Sequence, residues 1–185
     1  MLLKKYKIGI SGHRDLKSSE MPKYKNRLKH IVKKKIEAYP NTEVSIITPL
    51  AEGSDQLLAR VAKKLGLAYE VILPLPLELY KKDFSNRAYD EFYTLYCQAI
   101  NTTTIATPLG TSLEEISDYG EKRDRQYLKV GQEVVDSSDF MIFLWDGIIN
   151  HKRGGTADIF SYAKERYGEN FNKKHSLIAS KREKN

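Results

Sequence analysis

The chain is poor in cysteine and has no long apolar run. Its one cysteine among 185 residues, Cys97, excludes a disulfide within the chain and is typical of a reducing compartment. No apolar stretch approaches the ~20 residues of a membrane helix. The basic start MLLKKYK leads directly into a strand-like segment instead of a signal core. We therefore expect a cytoplasmic protein without membrane contact.

The chain has fewer acidic than basic residues, and it has few histidines and cysteines that could bind a metal. The sequence has 31 basic and 24 acidic residues, a net charge of +7, which admits anionic partners without choosing among them. Clusters such as Lys33–Lys35 and the basic C-terminal residues are typical of solvated faces and tails. Four histidines with one cysteine show no metal-ligand spacing, so no metal site is predicted. On this basis we do not expect nucleic acid as a partner.

Apolar periodicity predicts strands that alternate with helices. The predicted strands are residues 6–11, 44–50, 69–75, 103–107, 139–146 and 175–180, and the predicted helices are 22–39, 57–65, 88–100, 127–135 and 159–166, with a loop or lid at 108–122. Apolar strands without two-residue alternation indicate a parallel sheet covered on both faces. The predicted fold is α/β and Rossmann-like, with a mostly parallel open sheet and helices on both faces. Residues 1–185 form one domain, whose last strand and basic tail lie within 173–185.

The first loop of interest follows the first predicted strand. In open parallel sheets, ligands bind beyond the carboxyl ends of the strands. Gly12 permits close backbone approach there, while Ser11, His13 and Arg14 offer donors to an anion. The alternative is a polar loop in which Arg14 pairs with Asp15 or another carboxylate. The loop resembles neither G-x-G-x-x-G nor a Walker motif, so a standard dinucleotide or P-loop site is not indicated.

The second loop, Glu52-Gly53-Ser54-Asp55, lies between the second strand and its helix. Amides at a helix start attract phosphate, helped by the helix dipole. Ser54 or Asp55 could equally be a plain N-cap, a contribution of roughly 1 kcal/mol. The carboxylates of Glu52 and Asp55 suit ribose hydroxyls better than a phosphate.

The third loop follows the most apolar strand and is rich in glycine. It contains Asp146 and Gly147, and then Gly154, Gly155, Thr156, Ala157 and Asp158. Two adjacent glycines before a helix expose backbone amides, and Thr156 can cap that helix while it contacts a phosphate. The alternative is a turn that only reverses the chain.

Together, the segments SGHRD, LAEGSDQLLARVA and FLWDG…GGTADIFSYA resemble the SLOG superfamily over about residues 6–168. This group includes LOG-type phosphoribohydrolases and nucleotide-sensing domains of bacterial defence systems. The resemblance implies a Rossmann-like fold that binds a nucleotide or an ADP-ribose-type or NAD-like ligand, with no certain cofactor, in a protein that self-associates as a homo-oligomer. It places these residues at the ligand: Gly12, His13, Arg14, Gly53, Ser54, Gly154, Gly155 and Thr156, with Arg123 and Tyr127 of RDRQYLKVG approaching from the lid side.

The resemblance fails at one position that matters for catalysis. LOG-type enzymes carry PGGxGTxxE, and alignment on Gly155-Thr156 puts Ile159 where that glutamate stands. The GTAxE pattern of deoxyribosyltransferases fails in the same way, and Asp158 is about 100° away around the helix. We therefore expect nucleotide binding, as in signal sensing. The alternative is an N-glycosidic hydrolase or transferase whose carboxylate comes from Asp158, Glu52 or Asp146. A basic nucleic-acid-binding module is a third hypothesis, resting on charge alone.

Overall fold

The computed structural model describes residues 4–149 and 154–183. Its strands are β1 (Lys4–Gly12), β2 (Thr42–Thr48), β3 (Tyr69–Leu73), β4 (Asn101–Thr104), β5 (Phe140–Trp145) and β6 (His175–Ala179). Its helices are α1 (Met21–Ala38), α2 (Ser54–Lys64), α3 (Leu77–Tyr80), α4 (Asn86–Tyr96), α5 (Glu121–Asp136), α6 (Thr156–Tyr167) and α7 (Phe171–Lys174). None of the helices in these two ranges is long and apolar enough to cross a bilayer.

The strands form one parallel sheet in the order β4-β3-β2-β1-β5-β6. This confirms the predicted α/β, Rossmann-like fold. The chain builds outward from β1 through β2, β3 and β4, and then returns to the other side of β1 with β5 and β6. The order reverses between β1 and β5, where such sheets place their ligands.

Alternate residues of β5 explain why the sheet needs helices on both faces. All six residues of the strand are buried. Phe140 and Ile142 belong to the core beneath α1, α2 and α4, whereas Met141 and Phe143 belong to the core beneath α5 and α6. A strand covered on both faces needs apolar residues at every position, which is why its sequence lacks alternation.

Several short elements differ from the sequence predictions. The strand predicted at residues 103–107 lies at Asn101–Thr104, and all four of its residues are exposed, so apolar content was the wrong guide to this edge strand. The short helix Leu77–Tyr80 and the 3₁₀ turn Lys81–Asp83 were not predicted. A four-residue helix is too short to show a helical period. Residues 105–120 contain neither helix nor strand, in agreement with the predicted loop.

Candidate functional site

A pocket of about 410 Å³ opens beyond the carboxyl ends of β1 and β5. Ligand pockets commonly have volumes of about 300–1,000 Å³. The structure brings ten of the predicted residues together around it: Ser11, Gly12, His13, Arg14, Asp55, Arg123, Tyr127, Gly154, Gly155 and Thr156. Within the described part of the chain, five others lie outside its lining, namely Glu52, Gly53, Ser54, Asp146 and Gly147.

The start of α6 faces this pocket without a side-chain cap. Gly155 is the N-cap residue, and its carbonyl accepts hydrogen bonds from the amides of Asp158 and Ile159 at 3.1 and 3.2 Å. First-turn amides have no acceptor within their own helix. Thr156 and Ala157 both line the pocket, and the amides of a helix start are groups that bind anions in other proteins.

Arg14 and the turn before α6 both lie close to Tyr127 and line the same pocket. The Arg14 guanidinium lies 5.4 Å from the centre of the Tyr127 ring, and a side chain at Gly154 would meet Tyr127 Cβ at 3.0 Å. Arg14 is exposed and forms no ion pair with another residue in the two described ranges, whereas Asp15 pairs with Arg182 at 3.8 Å. The described residues therefore do not form the Arg14–Asp15 pair of the alternative interpretation; the carboxylate on which the Arg14 charge acts is that of Asp55.

The start of α2 is closed, although its sequence suited a phosphate site and a plain N-cap equally well. Ser54 is fully buried, and its amide donates to the carbonyl of His13 at 3.1 Å. Gly53 has a φ of +83°, and a Cβ there would lie 2.4 Å from the Arg14 carbonyl oxygen. The backbone of the first loop thus occupies the place that a phosphate would need. Glu52 is exposed and lies outside the pocket lining.

Asp55 is the one carboxylate of the second loop that lines the pocket. It accepts a hydrogen bond from the amide of Ala51 at 3.3 Å. Burial raises the pKa of Asp55 to about 7, against the opposing effects of that amide and of the Arg14 charge. The group can therefore exchange a proton near neutral pH.

His13 lines the pocket, but its ring nitrogens are engaged by the C-terminal segment. Ser180 Oγ lies 3.0 Å from Nδ1, and Arg182 Nε donates to Nε2 at 3.2 Å. Burial, helped by the Arg182 charge, lowers the pKa of His13, while the carboxylates of Asp146 and Asp15 act against this. A neutral imidazole accepts from Arg182 and donates to Ser180, so it has no nitrogen left for an anion.

The C-terminal segment is part of the site, and the sequence prediction of a basic tail missed this. Lys17 N donates to the Lys181 carbonyl at 2.9 Å, and Glu183 N donates to the Asp15 carbonyl at 2.8 Å. Residues 180–183 thereby fix the loop after β1, and Arg182 joins the pocket lining. A tail with few apolar residues gave no signal of such packing.

None of the three carboxylates considered for catalysis lines the pocket. Asp158 accepts a hydrogen bond from the amide of Gly154 at 2.8 Å, which holds the turn before α6. Asp146 contacts His13 and Arg182 at 3.4 Å. Ile159, at the position of the missing glutamate, is buried and does line the pocket. Among residues 4–149 and 154–183, no three His, Cys, Asp or Glu side chains are grouped to hold a metal ion.

The wall of the pocket beneath the 105–120 segment is polar and mostly unpredicted. Arg123 is 1% exposed and forms an ion pair with Asp83 at 2.8 Å. Its guanidinium also donates to the carbonyls of Ile116, Ser117 and Leu79 at 2.8, 3.3 and 3.2 Å. Arg123 was predicted to approach the ligand, and the structure shows that it also anchors the segment above the pocket. Tyr80 and Asp83 come from the unpredicted helix and turn after β3.

Two solved structures of DNA processing protein A share this fold, although the sequence matches no family model and no curated protein. The Helicobacter pylori protein, described with a unique single-stranded DNA binding mode, aligns with a TM-score of 0.53 and 14% identity over 93% of this chain and 64% of that chain. The Streptococcus pneumoniae protein aligns with a TM-score of 0.55 and 12% identity over 95% of this chain and 59% of that chain. This chain thus spans less than two thirds of either protein.

At these identities the likeness shows the fold alone, which is the α/β, Rossmann-like fold. The Moco carrier protein of Chlamydomonas rheinhardtii aligns with a TM-score of only 0.37 and 14% identity over 96% of this chain and 91% of that chain, and it carries no argument.

The comparison corrects one expectation. The sequence led us to set nucleic acid aside as a partner, because the basic residues looked like solvated faces. That exclusion is wrong, since two solved structures that share the fold are DNA processing proteins, one of them described with a single-stranded DNA binding mode. Charge clusters do not reveal which fold presents them, so they could not support the exclusion.

Proposed function

We propose that this chain is a SLOG-type domain that binds a nucleotide or a nucleotide derivative such as ADP-ribose. One observation carries the proposal: among the described residues, the start of α6 has no side-chain cap and the guanidinium of Arg14 has no ion-pair partner, and both border one pocket at the switch point of the sheet. Helix-start amides with an adjacent arginine are suited to a phosphate group. The remaining volume accommodates the sugar and base.

Titration calorimetry with nucleoside monophosphates, ADP-ribose and NAD tests the proposal, with the unphosphorylated nucleosides as controls. We expect the phosphorylated ligands to bind and the nucleosides to bind more weakly. Absence of binding at millimolar concentration, equivalent to about −4 kcal/mol, would refute the proposal. Chromatography of the same mixtures for free base tests the alternative of N-glycosidic cleavage, and release of base would favour the enzyme.

A second candidate function is binding of single-stranded DNA. The fold likeness to DNA processing protein A favours it, and the net charge of +7 is compatible with it. A backbone phosphodiester could use the same α6 start, with bases on aromatic side chains such as the exposed Tyr119.

Fluorescence anisotropy with a labelled single-stranded oligonucleotide at increasing salt tests this second function. Binding that weakens steeply with salt and is lost on Arg14→Ala would support it. Competition by a nucleoside monophosphate would place both ligands in one pocket. Absence of oligonucleotide binding at low salt would refute this second function, and binding that Arg14→Ala does not change would show that the DNA does not use the pocket.

A further inference from the structure

The polar wall of the pocket, defined by Tyr80, Asp83, Arg123 and Tyr127, holds polar atoms that the phosphate site does not use. Tyr80 OH, Asp83 Oδ2, Arg123 Nε and Tyr127 OH are all buried, and none has a hydrogen-bond partner among the described residues. All four residues line the pocket. Buried polar atoms in folded proteins are almost always partnered. Four exceptions on one pocket wall indicate that their partners come from a ligand.

The polar wall is held firmly, so these atoms cannot turn to find partners within the protein. Arg123 Nη2 donates to Asp83 Oδ1 at 2.8 Å. This bond fixes the carboxylate, whose other oxygen, Oδ2, has no hydrogen-bond partner among the described residues. The Tyr80 ring packs against the edges of Phe84 and Phe92, with ring centres 4.9 and 5.6 Å apart. Because its ring is enclosed in this way, Tyr80 offers a ligand its hydroxyl and not a stacking face.

The chemistry of the unused atoms selects the group that would fit them. Asp83 Oδ2 can only accept a hydrogen bond, Arg123 Nε can only donate one, and a tyrosine hydroxyl can do both. A phosphate has no proton for Asp83, and the carboxylates of Asp83 and Asp55 would repel it. A hydroxyl group donates and accepts at once. Two neighbouring hydroxyls satisfy the carboxylate and the donors together.

The position of the polar wall also suits a sugar. Tyr127 lies against the α6 turn through its Cβ and has its ring 6.3 Å from the Tyr80 ring. The polar wall is therefore about one tyrosine side chain from the phosphate site, comparable to the reach from a 5′-phosphate to the hydroxyls of its ribose. Residues 105–120 border the polar wall, because the Ile116 and Ser117 carbonyls accept hydrogen bonds from Arg123.

Resting on the proposed function, we infer that the polar wall binds the vicinal hydroxyls of a ribose, so that the pocket selects ribonucleotides over 2′-deoxyribonucleotides. Tyr80 and Asp83 are then the residues that determine sugar specificity. The DNA-binding alternative predicts the opposite, because a site for DNA has no 2′-hydroxyl to recognise.

The experiment measures the affinities of AMP, GMP, CMP and UMP against dAMP, dGMP, dCMP and dUMP for the wild type and for Tyr80→Phe. We expect the wild type to prefer the ribose form of any bound pair by about tenfold, equivalent to about 1.4 kcal/mol. Tyr80→Phe should reduce this preference to about two- to threefold and leave the deoxy affinity unchanged, as expected for the loss of one hydrogen bond. The substitution removes a hydroxyl with no internal partner, so the protein should remain folded.

Two further variants make the result specific. Asp83→Asn retains the size of the side chain but loses the charge, and it should also reduce the ribose preference. Tyr69→Phe is the matched control, because the Tyr69 hydroxyl is bonded to the Leu95 carbonyl at 2.6 Å and lies away from the pocket. It should lower the melting temperature and leave the ribose preference unchanged.

Each failure has a distinct meaning. Equal affinity for the two sugars in the wild type overturns the inference while the proposed nucleotide site stands. Equal weakening of both sugars by Tyr80→Phe also overturns it, since the hydroxyl would then not be reading the sugar. Absence of binding for all eight nucleotides at millimolar concentration refutes the proposed function itself.

Discussion

Helices α2 and α6 begin in the same way in the sequence and differ in what the fold does with them. Each follows a strand at the same edge of the sheet, and each starts with glycine followed by a hydroxyl residue, Gly53-Ser54 or Gly155-Thr156. At α2 the first amide is bonded to the His13 carbonyl and Ser54 is fully buried. At α6 the start forms part of a pocket wall.

The difference lies in what the preceding loop brings close. The loop after β1 crosses the start of α2 and puts its own carbonyl oxygens where an anion would sit. Nothing in the described ranges crosses α6 in that way, and its first turn is left to the pocket. A glycine-rich helix start is therefore an anion site only where no protein carbonyl already occupies it.

Gly53→Val is the substitution with the largest expected effect, because it forces the two loops apart. Positive φ at a non-glycine residue costs about 1–3 kcal/mol and overpacking costs about 1–3 kcal/mol more. With a φ of +83° and carbonyl oxygens at 2.4 and 2.5 Å from a Cβ, we expect a loss of about 4 kcal/mol in the free energy of unfolding, measured with urea.

Gly110→Ala is the control for Gly53. Gly110 has a φ of +77°, but a Cβ there would meet nothing within 4 Å. Gly110→Ala should lower the free energy of unfolding by about 1 kcal/mol, which is the cost of the backbone strain alone. If Gly53→Val and Gly110→Ala lower the free energy of unfolding by the same small amount, the contact between the two loops does not stabilise the fold.

Asp55→Asn tests the closed helix start through its dependence on pH. An unfolded aspartate has a pKa of about 3.9, whereas burial raises the pKa of Asp55 to about 7. Between pH 4 and pH 7 the native state keeps a proton that the unfolded state releases, so rising pH destabilises the wild type in this window. Asparagine does not titrate, so the free energy of unfolding of the variant should increase relative to that of the wild type as the pH rises.

Urea unfolding of both proteins at pH 5 and pH 8 measures this gain. A shift of one pKa unit corresponds to about 1.4 kcal/mol, and we expect the stability of Asp55→Asn relative to the wild type to rise by about 2–3 kcal/mol between the two pH values. Parallel pH profiles for the two proteins would show that Asp55 titrates normally in the folded protein.

The fold was accessible from the sequence where burial is two-sided or periodic. Strand β5 has six buried residues in succession, and α1 buries Tyr24, Leu28, Ile31 and Val32 at helical spacing. Strand β4 is an exposed edge of asparagine and threonines, so the pairing that places it there has no local apolar signature. Register along such an edge is set by its neighbour β3 and not by its own composition.

Pocket-lining residues were predicted where a short segment of the sequence carries glycine or charge. These residues are Ser11–Arg14, Asp55, Arg123, Tyr127 and Gly154–Thr156. Arg182 escaped notice because it meets His13 across 169 positions of sequence. A side chain brought by tertiary packing carries no local pattern, and the same holds for Tyr80 and Asp83 on the polar wall.

Arg14→Ala tests whether the arginine contributes to phosphate binding at the start of α6. A charge-assisted hydrogen bond to a desolvated phosphate corresponds to a loss of about 10- to 100-fold in affinity. Arg14 is exposed and without an ion pair in the described chain, so the melting temperature should stay the same. Calorimetry and thermal melts of the same sample measure both quantities.

Arg87→Ala is the matched control for Arg14, since Arg87 is exposed on α4 and lies outside the pocket lining. It should change neither affinity nor melting temperature. An Arg14→Ala variant that melts much earlier and binds normally would show that Arg14 has a structural role, and the anion site would then lack its arginine.

Gly155→Val asks whether the turn at the start of α6 itself contacts phosphate. Gly155 has a φ of −78° and a ψ of 172°, an extended conformation open to any residue, so its backbone imposes no strain. Gly154 is the strained neighbour, with a φ of +75° and the Asp124 carbonyl 2.9 Å from a Cβ, so Gly154→Ala should destabilise the protein. A side chain at Gly155 should intrude on a bound phosphate and weaken nucleotide binding by about tenfold or more, while the affinity for a nucleoside should change little.

Comparing nucleotide and nucleoside affinities in the same folded variant isolates the contribution of the phosphate to binding, because a folding defect would weaken both. Equal losses for the two ligands would show that the α6 turn does not bind phosphate, and the contrast between α2 and α6 would then lose its functional meaning.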